Sequence, residues 1–392
     1  MKIWNKLEIE KLVYGGWGLA RTDQGIVFVS DVIPGETVRA QQIGVRSDCP
    51  IAQPVEIIEP SPNRRNPVCA CAQECGGCDW QHIAHPVQLT IKKKVFLECL
   101  ERTGKLHDLP PVQIFSAHEW NYRLRVQFKV EPARGKKGFY KKGTNEIVDI
   151  PACRLLAAPL NDFFADLDLH LASLPESTAE IKAVCGSDGV VASYPAVNGT
   201  VMKKALIDVA GSRLSVSGTS FFQSNRHLLE PLGKWAGPWL EGDTFVDLYG
   251  GGGFFSVMLG DAFKKGLCID NEIECIDLAK ENLYNNNLPH VETRLVSAEN
   301  FLLNPSIKDI DCLIVDPPRP GLTRNAREGI SALNPNQILY VSCNPSTQAR
   351  DIGYFVNKMG YTIYKAALFD LYPQTHHMET AIILNKGALR MG

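Results

Sequence analysis

The sequence predicts an α/β protein whose largest part is a parallel, doubly wound sheet preceded by a small β-barrel. From about residue 216 onward, short apolar runs alternate with helical patterns, and this alternation indicates repeated strand-helix-strand units. Before residue 60, short runs of alternating hydrophobicity are instead separated by turn signals such as Gly15-Gly16 and Pro34-Gly35. Such closely spaced strands indicate an all-β module, so the change of pattern indicates separate domains.

Composition breaks divide the chain into three predicted domains, residues 1–60, 61–215 and 216–392. The first has strand candidates at 26–29 and 37–40, and the proline-rich stretch 60–67 leads out of it. The second, a mixed α+β region, has an amphipathic helix over about 86–102 and strand candidates at 123–130 and 146–150. The predicted elements of the third are strand 245–248, a helix after 253, strand 266–270, helix 272–287, strand 311–316, strand 338–343, helix 346–359 and strand 381–384.

The composition excludes several classes of protein. The 392 residues are 45% hydrophobic, which is ordinary for a globular chain, and no run approaches the roughly 18 apolar residues of a membrane span. The first six residues lack the apolar segment of a secretory signal, so we expect a cytoplasmic protein without a membrane partner. The formal net charge of -2 gives no global attraction for nucleic acid, so any RNA contact must use local basic patches.

Four of the twelve cysteines crowd into ten residues, which indicates a metal site. They are Cys69, Cys71, Cys75 and Cys78, and the glycines at 76–77 would let the backbone turn tightly around an inorganic centre. The residues alone do not identify the metal centre. Four local thiolates suit zinc, and the C-x3-C-x2-C spacing of the last three also occurs in radical S-adenosylmethionine enzymes. We expect the isolated cysteines to be small buried hydrophobic residues: Cys49, Cys99, Cys185, Cys268, Cys275 and Cys312.

A glycine-rich turn follows the first predicted strand of the third domain. Tyr249 begins it, four glycines at 250–253 permit close approach of a ligand, and the next helix would point its N-terminus at the same place. Asp270 ends the following strand, where an acidic side chain would bind ribose hydroxyls. Ligands of doubly wound sheets bind beyond the carboxyl ends of the strands, so we expect a nucleotide-like cofactor, although NAD enzymes share these features.

Three later motifs narrow the chemistry. Asp316 opens the rigid loop 316–322, a pattern common among methyltransferases that use S-adenosylmethionine and uncommon in NAD enzymes. Cys343 follows the apolar run 338–341, and Glu379 precedes the strand-like run 381–384. A thiolate that adds to carbon 6 of uracil makes carbon 5 nucleophilic toward a methyl group, and a carboxylate then removes the proton from carbon 5. The sequence therefore predicts Cys343 as a nucleophile and Glu379 as a base.

These motifs together resemble the RNA 5-methyluridine (uracil-5-) methyltransferase family over nearly the whole chain, and within it the branch that acts on 23S ribosomal RNA. The segments 18–21 and 34–36 look like the TRAM domain, an OB-like barrel that binds RNA. The resemblance implies a class I S-adenosylmethionine-dependent methyltransferase with a Rossmann-like doubly wound sheet, an N-terminal TRAM domain and a mixed α+β central domain. Five segments occur in the family's order: 221–225, 249–253, 316–322, 342–345 and 377–380.

The resemblance also implies roles for individual residues. The expected ligands of S-adenosylmethionine are Gln223, Tyr249, Asp270 and Asp316, and Cys343 and Glu379 keep their predicted roles. The ligands implied for a 4Fe-4S cluster are Cys69, Cys75, Cys78 and the distant Cys153, whereas local zinc would leave Cys153 free. The family usually has cysteine and asparagine where this chain has Gly250 and Phe254, so Phe254 is left out of the predicted site.

The expected partner is RNA, with 23S ribosomal RNA as the preferred target and a transfer RNA uridine as the alternative. Basic residues at 134, 136, 137, 141 and 142 interleave with Phe139 and Tyr140, which suits phosphate contacts beside stacking surfaces and equally suits a solvated hairpin. Attack on carbon 6 requires that the uridine be flipped out of its stack. The hypothesis from another class is an RNA-binding module with a lapsed active site, against which the intact Cys343 and Glu379 argue. A monomer is the simpler expectation.

Overall fold

The computed structural model describes residues 2–197, 204–307 and 309–387, and the chain forms two compact units. The first unit comprises Met1–Glu98, Phe139–Val148 and Tyr372–His377. The second comprises Cys99–Gly138, Asp149–Leu371 and Met378–Gly392. Neither unit is therefore a continuous stretch of sequence.

The first unit is built on a single β-sheet, as the closely spaced apolar runs predict. Its strands are β1 (Ile3–Glu8), β2 (Lys11–Leu12), β3 (Gly18–Thr22), β4 (Gly25–Val29), β5 (Thr37–Arg46) and β6 (Cys49–Glu59). They lie in the order β1-β5-β6-β4-β3-β2. Leu7, Ala20 and Val38 are each at most 2% exposed, so the alternating apolar side chains form the core of this sheet.

A buried ion pair anchors the stretch that follows this sheet. The Glu36 carboxylate is fully buried and accepts hydrogen bonds from Arg64 Nε and Nη2, both at 2.6 Å. It also accepts the amides of Ile33 at 2.8 Å and Ser61 at 3.1 Å. Burial alone would raise the pKa of Glu36, but the hydrogen bonds from Arg64 and the two amides lower it. Because either charge alone would be left uncompensated in the interior, the pair ties residues 61–64 to the sheet.

The middle of the chain contains the predicted helix and strands. Helix α1 confirms the helix predicted over 86–102, and β8 and β10 confirm the strands predicted near 123–130 and 146–150. In the second unit, β8 pairs with residues 136–138 of β9 and with β11, β12 pairs with β11, and β13 and β14 form a separate hairpin. These elements are α1 (His85–Arg102), β7 (Val112–Phe115), β8 (Arg125–Glu131), β9 (Lys136–Tyr140), β10 (Ile147–Asp149), α2 (Ala158–Asp166), β11 (Glu180–Cys185), β12 (Val191–Tyr194), β13 (Lys204–Val209) and β14 (Ser212–Ser217).

The last part of the chain alternates strands and helices, as predicted. The elements are α3 (Leu229–Lys234), β15 (Thr244–Leu248), α4 (Phe254–Leu259), β16 (Lys265–Asp270), α5 (Ile273–Asn285), β17 (Val291–Leu295), α6 (Ala298–Leu303), β18 (Cys312–Val315), α7 (Arg324–Leu333), β19 (Gln337–Ser342), α8 (Pro345–Met359), β20 (Tyr361–Phe369) and β21 (Glu379–Lys386). Every residue of β18 and β19 is buried, which explains their continuous apolar runs. Within the described ranges, no helix is long and apolar enough to cross a bilayer.

These strands form an eight-stranded sheet in the order β17-β16-β15-β18-β19-β21-β20-β7. The first five strands are parallel, as predicted, but β21 runs antiparallel to both β19 and β20. The predicted doubly wound sheet is therefore present, and one antiparallel strand joins it at this end. Residues 370–378, which join β20 to β21, are too few for a crossover helix, so the chain must turn back as a hairpin.

Candidate active site

The side chains predicted to be functional in the last part of the chain gather at one edge of the eight-stranded sheet. Tyr249, Asp316 and Cys343 directly follow β15, β18 and β19, and Asp270 ends β16. These strands are parallel, so their carboxyl ends lie at the same edge. Glu379 begins β21, and because this strand is antiparallel its first residue lies at that edge too.

The glycine-rich turn after β15 is closely fitted to the residues beneath it. Tyr249 has a φ of 61°, and Gly253, with a φ of 81°, immediately precedes α4. A Cβ atom on Gly250 would lie 2.5 Å from Cys268 Sγ and 3.2 Å from Asp247 Oδ2. No side chain fits at that position without movement of the strand below, so the turn depends on glycine there.

Two polar side chains hold this turn. Asp270 Oδ2 accepts the amide of Gly251 at 2.9 Å, and its Oδ1 accepts the amide of Glu272 at 2.9 Å. Asn282 Nδ2 donates to the carbonyl oxygen of Gly252 at 2.9 Å. The structure thus places Asp270 as a support of the turn, whereas the other three residues predicted to bind a cofactor line a cavity.

This cavity lies beside the turn, between the turn and the hairpin strand β14. Its polar side chains include Gln223, Tyr249 and Asp316, and its apolar wall includes Phe222 and Phe254. The remaining lining residues are Leu214, Ser215, Val216, Ser220, Phe221, Gly250, Gly251, Gly252, Phe255, Leu278 and Asn282. A mostly apolar cavity with a few polar groups is the usual form of a small-molecule site.

Two of the polar lining residues, Gln223 and Asp316, lie side by side. Gln223 is 3% exposed, and its buried Oε1 has no hydrogen-bond partner among the described residues. Its Nε2 donates to Asp316 Oδ2 at 3.4 Å, and burial raises the pKa of Asp316 to about 7. An unpaired amide oxygen beside a half-buried carboxyl group fits a ligand that brings N–H donors and positive charge.

A second buried acid lies under the turn and was not among the predicted site residues. Asp247, the penultimate residue of β15, is fully buried and accepts Ser256 Oγ at 2.7 Å through Oδ2. Its Oδ1 has no hydrogen-bond partner in the described part of the chain. Burial raises the pKa of Asp247 to about 7, and the nearby Asp316 and Asp270 add to the effect. Its position at a strand end was the available signal.

Phe254 was left out of the predicted site, but the structure places it in the cavity wall. Its ring is 8% exposed and packs edge-on against Phe222, with 5.8 Å between centroids. It packs likewise against Phe255 at 5.1 Å. In this chain the position therefore contributes apolar surface to the cavity.

Cys343 lies between the end of β19 and the start of α8. Ser342 ends the strand, and Asn344 caps the helix by accepting the amides of Ser346 at 3.1 Å and Thr347 at 3.3 Å. The amide of Asn344 in turn donates to Ser342 Oγ at 3.0 Å. These local bonds fix the backbone on both sides of the thiol, so its position is set by the strand end and the helix cap.

The charges around Cys343 link it to the other predicted residues. Burial is the main reason that the pKa of the Cys343 thiol rises to about 12, and the charges of Glu379 and Asp316 raise it further. The positive charge of Arg319 opposes this rise in the pKa of the thiol. Burial, with a contribution from Asp316, likewise raises the pKa of Glu379 well above its usual range, and Arg319 again opposes. The structure therefore brings the predicted nucleophile, base and cavity acid together.

Glu379 is held in place through the residue that follows it. Its side chain is 2% exposed. Thr380 Oγ1 donates to the carbonyl oxygen of Ser342 at 3.0 Å and to Gln348 Oε1 at 2.9 Å. Gln348 Nε2 donates to the carbonyl oxygen of Tyr340 at 3.0 Å. This buried network joins β21 to β19 next to the thiol, so the two strand ends keep a fixed spacing.

Arg319, whose charge acts on both Cys343 and Glu379, was not singled out by the sequence prediction. Its carbonyl oxygen accepts Asn344 Nδ2 at 2.9 Å and Thr347 Oγ1 at 3.1 Å, which ties the proline-rich loop to the cap of α8. Asp351 holds the same loop further on, by accepting the amide of Leu322 at 2.8 Å. The signal in the sequence was that Arg319 carries the only charge in the stretch 317–322, directly after Asp316.

The predicted metal ligands are placed as follows. Burial raises the pKa of Cys71, and its neighbours Cys69 and Cys75 add to the effect, so these three thiols interact. Cys78 follows in the same unit, and Cys153 belongs to the second unit, where Asn161 Oδ1 accepts its amide at 3.0 Å. No three His, Cys, Asp or Glu side chains in the described ranges are grouped so as to hold a metal ion. The iron–sulfur site stays a prediction.

The basic hairpin is less available for RNA than its sequence indicates. Lys137 is 3% exposed, and its Nζ donates to the carbonyl oxygen of Phe164 at 2.5 Å. Arg134 pairs with Glu131 at 3.2 Å. In the first unit, Lys142 pairs with Asp31 at 2.9 Å. At Lys137 both alternatives, a phosphate contact and a solvated charge, were wrong, because the ammonium group is bonded inside the protein.

Comparison with known proteins identifies the family. A sequence model described as tRNA (Uracil-5-)-methyltransferase matches residues 202–387. A 23S rRNA (uracil(1939)-C(5))-methyltransferase, RlmD, from Marinomonas is 31% identical, with 97% of this chain and 94% of that protein covered. The chain belongs to the RNA (uracil-5-)-methyltransferase family. This chain is also similar to an uncharacterized RNA methyltransferase from Aquifex aeolicus. The two are 32% identical, with 97% of this chain and 98% of that protein covered.

A solved structure confirms the fold. The tRNA (uracil-54, C5)-methyltransferase of Pyrococcus abyssi, in complex with S-adenosyl-L-homocysteine, superposes with a TM-score of 0.76 and 22% identity. It covers 97% of this chain and 100% of that one. The predicted class I methyltransferase fold with an N-terminal β domain is therefore confirmed. So is the prediction of an enzyme, because the chain is an S-adenosylmethionine-dependent RNA (uracil-5-)-methyltransferase.

Proposed function

We propose that this enzyme methylates carbon 5 of a uridine in 23S ribosomal RNA through a covalent bond between Cys343 and the uracil ring. The observation that carries the proposal is the electrostatic coupling of the Cys343 thiol with Glu379 and with Asp316, which lines the cavity. A nucleophile, a base and a methyl-donor cavity at one sheet edge are what such a reaction requires.

In the first step, Cys343 loses its proton to water, and its sulfur bonds to carbon 6 of the uracil. The electron pair of the C5–C6 double bond moves toward the carbonyl at carbon 4, which leaves carbon 5 nucleophilic. Bound S-adenosylmethionine would supply the methyl group: carbon 5 would bond to it as the methyl–sulfur bond breaks, and the sulfonium would leave as a neutral thioether. Arg319 would stabilise the thiolate before attack and again after elimination, since its nearby positive charge lowers the pKa of the thiol.

Glu379 performs the second step. Its carboxylate removes the proton from carbon 5, the C5–C6 double bond re-forms, and the C6–S bond breaks to return the thiolate. A carboxylate whose pKa is raised by burial binds a proton more tightly than an exposed one, which suits a base that must take a proton from carbon. The buried network of Thr380 and Gln348 keeps this carboxylate next to the thiol.

RNA that carries 5-fluorouridine at the target tests this mechanism, because fluorine at carbon 5 cannot leave as a proton. A stable, methylated adduct on Cys343 is expected with the wild-type enzyme, and Cys343→Ala should form none. Glu379→Gln should accumulate the adduct with ordinary RNA. Methylation of ordinary RNA by Cys343→Ala would exclude the covalent route, and free turnover by Glu379→Gln would remove Glu379 from the base role.

For S-adenosylmethionine we propose Gln223, Tyr249, Asp270 and Asp316 as the binding residues. The unpaired Gln223 amide oxygen and the Asp316 carboxyl group suit the amino groups and the sulfonium charge of this cofactor. Asp270 would act on the ribose or through the turn that it supports. Gln223→Leu, which removes the unpaired oxygen and keeps the volume, should weaken binding of S-adenosylmethionine in calorimetry, and unchanged affinity would exclude Gln223.

The preference for 23S ribosomal RNA is supported by relatives over nearly the full length that are named for that activity. Transfer RNA is the second candidate, because the matching family model is described for transfer RNA. Mapping 5-methyluridine in total RNA from a strain that lacks this protein separates the two. Loss of the mark from 23S ribosomal RNA supports the proposal, and loss from transfer RNA contradicts it.

We also propose a 4Fe-4S cluster bound by Cys69, Cys75, Cys78 and Cys153. The donor set fits such a cluster chemically, since all four side chains are thiols, the ligands of such clusters, and none is fully buried. A zinc site on the local cysteines is the alternative. Anaerobically purified protein should contain about four iron and four sulfide per chain and absorb visible light. Stoichiometric zinc without iron would contradict the cluster.

The proposed domains keep the bounds that the sequence predicts. Residues 1–60 would be an RNA-binding TRAM domain, 61–215 would carry the cluster, and 216–392 would perform methyl transfer. The target uridine would be flipped out of its stack to reach Cys343. Gel-shift assays with residues 1–60 removed should give weaker RNA binding and unchanged S-adenosylmethionine binding, whereas unchanged RNA binding would contradict the first assignment.

A further inference from the structure

The connection that leads into Glu379 is anchored by side chains that have no role in the steps above. This β20–β21 connection is residues 370–378, and its central part, Tyr372–His377, belongs to the first unit. Within that unit, the amide of His376 donates to Asp79 Oδ1 at 3.0 Å. Nδ1 of the same histidine donates to Asp79 Oδ2. The Asp79 carboxylate therefore accepts hydrogen bonds from both the backbone and the ring of His376.

A second anchor lies two residues earlier. Gln374 is fully buried and has a φ of 70°, a left-handed conformation that a non-glycine residue adopts at a cost. Its carbonyl oxygen accepts the amides of Asp79 at 3.2 Å and Trp80 at 3.0 Å. Its backbone amide donates to Gln88 Oε1 at 2.9 Å, and its side-chain Oε1 accepts Gln88 Nε2 at 3.1 Å and Arg65 Nη2 at 2.8 Å. These bonds hold the strained residue in one conformation.

The pair of Asp79 and His376 is also closely packed. A Cβ atom on Gly16, in the turn before β3, would lie 3.0 Å from Asp79 Oδ2 and 3.1 Å from His376 Cβ. Lys92 Nζ donates to the carbonyl oxygen of Tyr372 at 3.0 Å, at the start of the anchored segment. The segment is thus fixed along its whole length within the first unit, with little room for adjustment.

We propose that Asp79 and His376 are positioning residues for the reaction: by fixing the β20–β21 connection they hold Glu379 where proton removal from carbon 5 requires it. His376 and Glu379 are three residues apart, so at most about 11 Å of chain separates them. A shift of the anchored segment must therefore pass into the start of β21. This inference rests on the proposed role of Glu379 as the base.

The test separates the base step from the earlier steps. In single-turnover reactions with S-adenosylmethionine and target RNA, Asp79→Asn and His376→Ala should slow decay of the covalent adduct about tenfold to a hundredfold. Formation of the adduct and the Kd for S-adenosylmethionine should stay at wild-type values. His376→Asn, whose Nδ2 takes the place of the ring Nδ1, should restore decay. If Asp79→Asn does not fold, the comparison of His376→Ala with His376→Asn still tests the proposal.

Glu98→Gln is the matched control, because it makes the same acid-to-amide change in another pair of the first unit, Lys11–Glu98 at 2.5 Å. It should leave adduct decay unchanged. Wild-type decay in Asp79→Asn and His376→Ala, while Glu379→Gln still accumulates adduct, would overturn the inference and leave the proposed function standing. Equal slowing of adduct formation and decay would also overturn it. If Glu379→Gln itself accumulates no adduct, the base assignment fails first.

Discussion

The pKa of Cys343 makes a quantitative prediction about the reactivity of the resting enzyme. A pKa of about 12, against 9.0 for an ordinary thiol, leaves about a thousandth as much thiolate at neutral pH. A more basic thiolate is more nucleophilic, and with a Brønsted slope of about 0.45 this gain is about twentyfold. Cys343 should therefore react about fiftyfold more slowly than an unperturbed cysteine.

The assay is a pulse of a small thiosulfonate reagent, quenched in acid, with modification of the Cys343 peptide measured by mass spectrometry. The same cysteine in the urea-denatured chain is the reference. The rate in the folded protein should rise tenfold with each pH unit up to at least pH 10, because the thiol stays largely protonated throughout that range. The reference should level off above about pH 9.

The shape of the pH profile decides between electrostatics and simple obstruction. A thiol that is slow only because the reagent reaches it poorly would keep the reference profile at a lower rate. A plateau near pH 9 in the folded protein would therefore refute the argument that burial and the neighbouring acids suppress ionisation of Cys343. As a control, circular dichroism should show that the protein is still folded at pH 10.

Three further predictions follow from single contacts. Arg319→Gln should lower both thiol reactivity and turnover, the latter about a hundredfold, whereas Arg319→Lys should retain part of each; equal rates for both variants and the wild type would contradict the role of this cation. Gly250→Cys should weaken S-adenosylmethionine binding about tenfold in calorimetry because of the clash with Cys268, and Cys268→Ala should restore it; a loss that Cys268→Ala does not relieve would contradict the steric cause. Glu36→Gln should lower the free energy of unfolding by about 3 kcal/mol at pH 7. Because the folded pKa of Glu36 is lowered, this stabilisation is present above the unfolded pKa and is lost as pH falls through the folded pKa, so melting curves of the variant and the wild type should converge in acid.

The sequence predicted most reliably the features that depend on residues close together along the chain. Continuous apolar runs marked β18 and β19, and the polar residues that follow them, Asp316 and Cys343, lie at the sheet edge where the strand pattern put them. Parallel strands share one edge for their carboxyl ends, so the pattern alone was enough to bring these side chains together. Their chemical roles remain predictions.

What the sequence could not predict depends on contacts between distant segments. Lys137 lies in a charged run, and only the packing of α2 against it explains why its ammonium group is buried. Arg319 is held by the cap of α8, and Phe254 gains its place in the cavity wall through Phe222. The direction of β21 follows from the hairpin with β20, which the apolar run 381–384 does not reveal. Such facts require the fold, because no local pattern encodes them.

The place of β21 in the sheet has a consequence for how the enzyme is made. It is the last strand of the described chain to leave the ribosome, yet it lies between β19 and β20, which are already complete. Until Glu379–Lys386 is synthesised, β19 and β20 have no partner between them and the sheet edge that carries Cys343 lacks Glu379. The edge of the sheet on which the candidate site lies is therefore completed only when this strand inserts.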